Sequence, residues 1–137
     1  MVGSGAFGCS MRSDKGYRAF RPNSDIDTAV VSHRHFENAW FFLRRAHAKR
    51  YGLPADAQDD LEKWARRRIF SGVIIANVLL PHLPFGPDWQ KALGATAITE
   101  PVEGRTVNVQ IYRDLESLRE YQVNSLAKAR ASLETNR

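Results

Sequence analysis

The sequence has few of the features that mark secreted, membrane-spanning or repetitive proteins. Cys9 is the only cysteine, so no intrachain disulfide can form, and a reducing, cytoplasmic setting is the expectation. No run of about 18 apolar residues occurs anywhere, which leaves no candidate transmembrane helix. Residues 1–10 contain no basic flank leading into a long apolar stretch, so they do not read as a secretory signal. There is no internal repeat and no low-complexity linker, and both absences argue against a solenoid or a string of modules.

What is present is a globular balance. The chain has 137 residues, of which 43% are hydrophobic and 26% charged. At that length one core is expected, because two would each be too small to be stable. The net charge of +5 comes mainly from arginine. It suits a phosphate-bearing ligand. It equally suits a solvated surface, and a nucleic-acid partner stays open, since no aromatic stacking platform accompanies the charge.

Hydrophobic periodicity orders the chain. Residues 25–32 read Asp-Ile-Asp-Thr-Ala-Val-Val-Ser, a short buried strand with carboxylates at its start. Phe36, Ala39, Trp40, Leu43 and Ala46 recur at helical spacing behind a cap near Ser32, and Gly52 and Pro54 end that helix. A second helix is predicted from Asp56, its stripe continuing through Leu61, Ala65, Ile69, Val73 and Leu80 with a possible break at Gly72. A short helix over 88–93 closes at Gly94. Residues 105–112 alternate, with Val107, Val109 and Ile111 on one face. Asp114 then caps a last helix whose stripe is Leu115, Leu118, Gln122, Leu126, Ala129 and Leu133. The order strand, helix, helix, strand, helix predicts an α/β or α+β domain, a small mixed sheet packed against helices.

One constellation carries chemistry. Gly3-Ser4-Gly5-Ala6-Phe7-Gly8 precedes Ser24-Asp25-Ile26-Asp27. Two carboxylates one residue apart on a strand point to the same face and repel each other unless a cation lies between them. Magnesium accepts a few carboxylates and takes its other ligands from water and substrate phosphates. A Gly-Ser turn lets backbone N–H groups approach a phosphate closely, and the serine hydroxyl adds a donor. These are the parts that nucleotidyl transfer needs.

This arrangement resembles the polymerase-β-type nucleotidyltransferase superfamily. Its members carry Gly-Ser at the end of a first strand, an Asp-x-Asp at the start of the next, and a third carboxylate on a later strand. The resemblance covers residues 3–31. It implies a nucleotidyltransferase fold in which Gly3, Ser4 and Gly8 bind the nucleoside triphosphate, while Asp25 and Asp27 are catalytic and hold Mg2+. Three departures stand beside it. Residues 5–24 make a longer connection than in compact members, and Arg12, Lys15, Arg18 and Arg21 lie in it, as a basic flap or as an exposed loop. Only Met1 and Val2 precede the turn, where the superfamily has a helix and most of a strand. The expectation is an open sheet edge completed by a homo-oligomer or a protein partner. Third, Asn108 and Gln110 occupy the polar face of the later strand, where a carboxylate is expected, and an amide cannot act as a general base.

Two functions therefore remain. One is transfer of a nucleotidyl group from Mg-NTP to a protein, RNA or small-molecule acceptor, as in minimal relatives that act as antitoxins. The other is a degenerate member that binds nucleotide or a partner without turnover. The remaining conspicuous residues have plainer readings. His33 and His35 read as cap or surface residues. Trp40 and Trp64 read as core, Trp89 as packing for the Pro-rich loop, and Arg66, Arg67 and Arg68 as a solvated helix face.

Overall fold

The computed structural model describes residues 1–135. A three-stranded sheet organises it: β1 (Ile26–Val31), β2 (Val73–Ile75) and β3 (Val107–Tyr112), in the order β1-β3-β2. β1 runs parallel to the central β3, with Asp27 opposite Asn108, and β2 runs antiparallel to it, with Val73 opposite Tyr112. Among the described residues the α-helices are α1 (Ser4–Phe7), α2 (His33–Ala48), α3 (Ala55–Lys63), α4 (Gly86–Ala97) and α5 (Leu115–Thr135). The class is mixed α/β.

Alternation along β3 decides what faces what. Val107, Val109 and Ile111 are buried, and Val109 and Ile111 join Phe36, Leu43, Leu61 and Trp64 in the main core. Asn108, Gln110 and Tyr112 take the opposite face by the period of two. There the Tyr112 hydroxyl donates to Gln110 Oε1 at 2.7 Å and accepts from Gln122 Nε2 at 3.1 Å, which ties α5 to the sheet. Burial pushes the Tyr112 phenol up, with the Gln122 hydrogen bond opposing it.

The helix behind β1 starts as its sequence implies. Ser32 Oγ accepts from the His35 backbone N–H at 3.3 Å, and Phe36, Ala39 and Leu43 are buried one turn after another. The next segment differs from expectation. The stripe predicted to run through Val73 and Leu80 stops at a π-turn over Trp64–Arg68. The chain then turns at Gly72, whose φ is +61°, and Val73–Ile75 is strand β2. Val73 and Ile74 are fully buried. A short β-branched run buried in this way lacks the alternation that distinguishes strand from helix.

α4 begins at Gly86, ahead of the predicted start, and passes through Gly94 without ending there. In α5 the predicted stripe is only partly covered, at Leu118, Gln122 and Ala129. Ala129 is buried, but Leu115, Leu126 and Leu133 are exposed, and the half-buried face carries Tyr121, Gln122 and Ser125. Asp114 does cap α5: its Oδ1 accepts from the Ser117 N–H at 2.7 Å. That backbone bond, then the Ser117 side chain and Arg113, hold the Asp114 carboxyl down at about 2. A depressed carboxyl stabilises the fold above its ordinary value and loses that contribution as pH falls. Asp114→Ala should therefore lower Tm by a few degrees at neutral pH. The difference should shrink as pH drops from 3.8 towards about 2, which thermal melts across that range will check.

Candidate functional site

The N-terminal segment lies against β1. The Val2 N–H donates to the Asp27 carbonyl at 2.8 Å, a single antiparallel bridge on the outer edge of β1. Gly3 follows with φ +63° and ψ −148°, a conformation open in practice only to glycine. A Cβ on Gly3 would stand 2.8 Å from Asp27 Oδ2. Glycine is thus required twice here, for the turn and for the room beside the carboxylate. Ser4 then opens α1, and Gly8 closes it with φ +76°.

Asp25 and Asp27 line one cleft together with Gly3 and Ser4. The cleft holds about 580 Å³. An adjoining depression of about 280 Å³ shares Ser4, Asp25 and Asp27 and adds Arg18 and Arg21 to its wall. Gly8 lies outside the lining of both, an exposed residue whose visible role is to end α1. Asp25 is exposed at the strand entrance and Asp27 is half-buried within β1. Burial raises the Asp27 carboxyl above its ordinary value. A hydrogen bond from Asn108 Nδ2 to Asp27 Oδ1 at 3.3 Å opposes the rise, and the charge of Asp25 adds to it.

Asn108 and Gln110 both reach this cleft. Only Asn108 contacts an aspartate; the Gln110 amide oxygen is taken by Tyr112. Among the described residues no three His, Cys, Asp or Glu side chains are grouped as a metal-ligand set. The two aspartates stand with an amide for a neighbour.

The long connection is paired, not unpatterned. Cys9 bridges to Ala19, the Ser10 N–H donates to the Arg18 carbonyl at 2.9 Å, and the Phe20 N–H donates to the Gly8 carbonyl at 2.7 Å. Arg105 Nη1 holds the carbonyls of Arg21 at 3.0 Å and Ser24 at 3.2 Å, with its guanidinium over the Phe20 ring. The Tyr17 hydroxyl donates to the Ala129 carbonyl on α5. Lys15 and Arg18 are thereby carried beside Asp25.

Of the other residues singled out, His35 packs its ring on Phe85 and Trp89 at centroid distances of 5.1 and 5.0 Å, and His33 is exposed. Trp64 is core, whereas Trp40 is only half-buried, with Arg44 over its ring at 5.0 Å. Arg66 and Arg67 face solvent as expected, but Arg68 does not: it lines the cleft. No helix among the described residues is long and apolar enough to cross a membrane. Comparison of the chain with family models, with curated proteins and with solved structures finds no match.

Proposed function

We propose that this chain is a small nucleotidyltransferase-type domain that binds a magnesium nucleoside triphosphate between the Gly3–Ser4 turn and the Asp25–Asp27 carboxylates. The observation that carries the reading is the cradle at Gly3. Asp27 Oδ2 has an open approach that a single Cβ would fill, next to a second carboxylate and a serine hydroxyl in one cleft. A divalent cation suits this donor set, because burial and the Asp25 charge both disfavour the Asp27 anion when no cation balances it. Asp25 and Asp27 would hold it. When bound, magnesium neutralises phosphate charge and makes pyrophosphate a better leaving group. Ser4 and the basic side chains Lys15 and Arg18 would hold the triphosphate oxygens, and the paired connection would keep them at the cleft.

The cleft leaves the acceptor open as a protein side chain, an RNA end or a small molecule. Among the described residues the outer edge of β1 carries only the Val2 bridge, and this supports assembly with a second copy or a protein partner through that edge. A magnesium-dependent assay with labelled ATP, CTP, GTP and UTP, run with and without candidate protein partners, tests the reading. No magnesium-dependent binding of any of the four would refute it.

A second reading rests on Asn108. It donates to Asp27 where a third carboxylate would help position the attacking oxygen. This favours a domain that binds Mg-NTP and turns it over slowly or not at all. Asn108→Asp should then raise Mg2+ affinity by about tenfold, the equivalent of about 1.4 kcal/mol. The same change should lower the Tm of the metal-free protein, because a third negative charge joins the pair. Calorimetric titration with Mg2+ and thermal melts with and without the ion measure both.

A further inference from the structure

Arg68 stands apart from the two arginines before it. The π-turn over Trp64–Arg68, in which the Ile69 N–H donates to the Trp64 carbonyl at 3.1 Å, directs it inward while Arg66 and Arg67 face solvent. Such turns recur at functional positions. Arg68 lines the same cleft as Asp25 and Asp27, together with Asp60, Lys63, Gln122 and Ser125. Its side chain is 22% exposed. Its Nη1 is buried and, among the described residues, no protein group accepts a hydrogen bond from it. The nearest carboxylate oxygen, Asp60 Oδ1, is 3.9 Å away, within ion-pair reach but beyond a hydrogen bond. Asp60 stands equally far from Lys63, at 4.0 Å.

Arg68 is ion-paired with Asp60, but its buried Nη1 lacks the hydrogen bond that a buried charge ordinarily also makes. We propose that Arg68 is the binding residue for an oxyanion on the acceptor, a phosphate ester or a carboxylate, seated across the cleft from the triphosphate. The planar fork of arginine matches both groups in a bidentate contact. Lys63 and the second N–H of the Gln122 amide supply further donors in the cleft. The inference rests on the nucleotidyl-transfer reading for the word acceptor. The oxyanion site itself does not depend on it.

Titration of the whole chain with inorganic phosphate, and separately with acetate, followed by the Arg68 side-chain Nε resonance, is the test. Phosphate at millimolar concentration should shift that resonance. Arg68→Met should weaken phosphate binding at least tenfold and leave Mg-ATP binding within twofold. Asp25→Asn/Asp27→Asn should retain phosphate binding at Arg68. A shift with phosphate but not acetate assigns a phosphorylated acceptor; a shift with acetate assigns a carboxylate, and either outcome supports the site. An Arg68 resonance unmoved by both anions overturns it without recourse to a variant. So does an Arg68→Met protein that binds phosphate as the parent does. Loss of Mg-ATP binding in the parent with the Arg68 shift intact would remove the nucleotidyl-transfer reading and leave the oxyanion site standing.

Discussion

Replacing Asp25 and Asp27 together by Asn should abolish magnesium-dependent nucleotide binding and leave the fold intact or more stable. The two residues line one cleft, and neither makes an ion pair among the described residues. Neutral amides supply far less attraction to a dication than carboxylates do. The loss should therefore exceed about a hundredfold in affinity, or about 2.7 kcal/mol. The stability effect has the opposite sign and a pH signature. The folded state holds the Asp27 proton more tightly than the unfolded chain does. Folding is then favoured below the unfolded value of 3.8, and that contribution is lost as pH rises through the elevated folded value. Asn cannot ionise, so the substituted protein should melt higher than the parent at neutral pH, and the gap should close in acid. Isothermal titration with Mg-NTP and melts across the acid range read the two effects separately. Unchanged nucleotide affinity would make the aspartates structural.

The largest stability effect is expected at Gly86→Ala. A Cβ at Gly86, the first residue of α4, would overlap the carbonyl oxygen of Leu80, a backbone atom that cannot swing aside. Leu80 and Leu83 are core residues, so relief would require the turn between them to move. The expected loss is about 3 kcal/mol or more, enough to unfold a marginal domain. Gly94 lies in the same helix, and a Cβ there meets nothing within 4 Å. Gly94→Ala should stabilise by about 0.5–1 kcal/mol, since alanine loses less conformational freedom in a helix interior. Urea denaturation of the two single variants will show opposite signs if α4 is seated as described. Equal and small effects would contradict the close approach.

Local sequence signals account for β1, β3, α2 and the cap of α5. Each is written in consecutive residues: a period of two at Val107, Val109 and Ile111, a period near four at Phe36, Ala39 and Leu43, and a carboxylate or hydroxyl at the cap. The placing of Asn108 on the polar face of β3 follows from the same alternation. β2 was not legible, because Val73 and Ile74 are both buried without alternation and three apolar residues fit a helix stripe as well as a strand. The connection over residues 5–24 shows no local pattern either. Its order comes from pairing between its own two arms, Cys9 with Ala19, and from distant partners, Arg105 for its base and Ala129 for Tyr17. The burial of Arg68 could not be foreseen from three consecutive arginines. The π-turn over Trp64–Arg68 selects one of them, and no residue spacing records that turn.

The parallel pairing of β1 with β3 has a consequence for the order of events in folding. Asp27 and Asn108 are 81 positions apart in the chain. α2 can form from neighbouring residues while the chain is still being synthesised, but among the described residues β1 has only the Val2 bridge on one edge until Val107–Tyr112 arrives on the other. Closing so long a loop is entropically expensive, and parallel, non-local pairings of this kind form late. The floor of the cleft is therefore among the last features to appear. A nascent or shortened chain that stops before β3 would display Asp25 and Asp27 on an unpaired strand, with the helical layer formed and the wall opposite them missing.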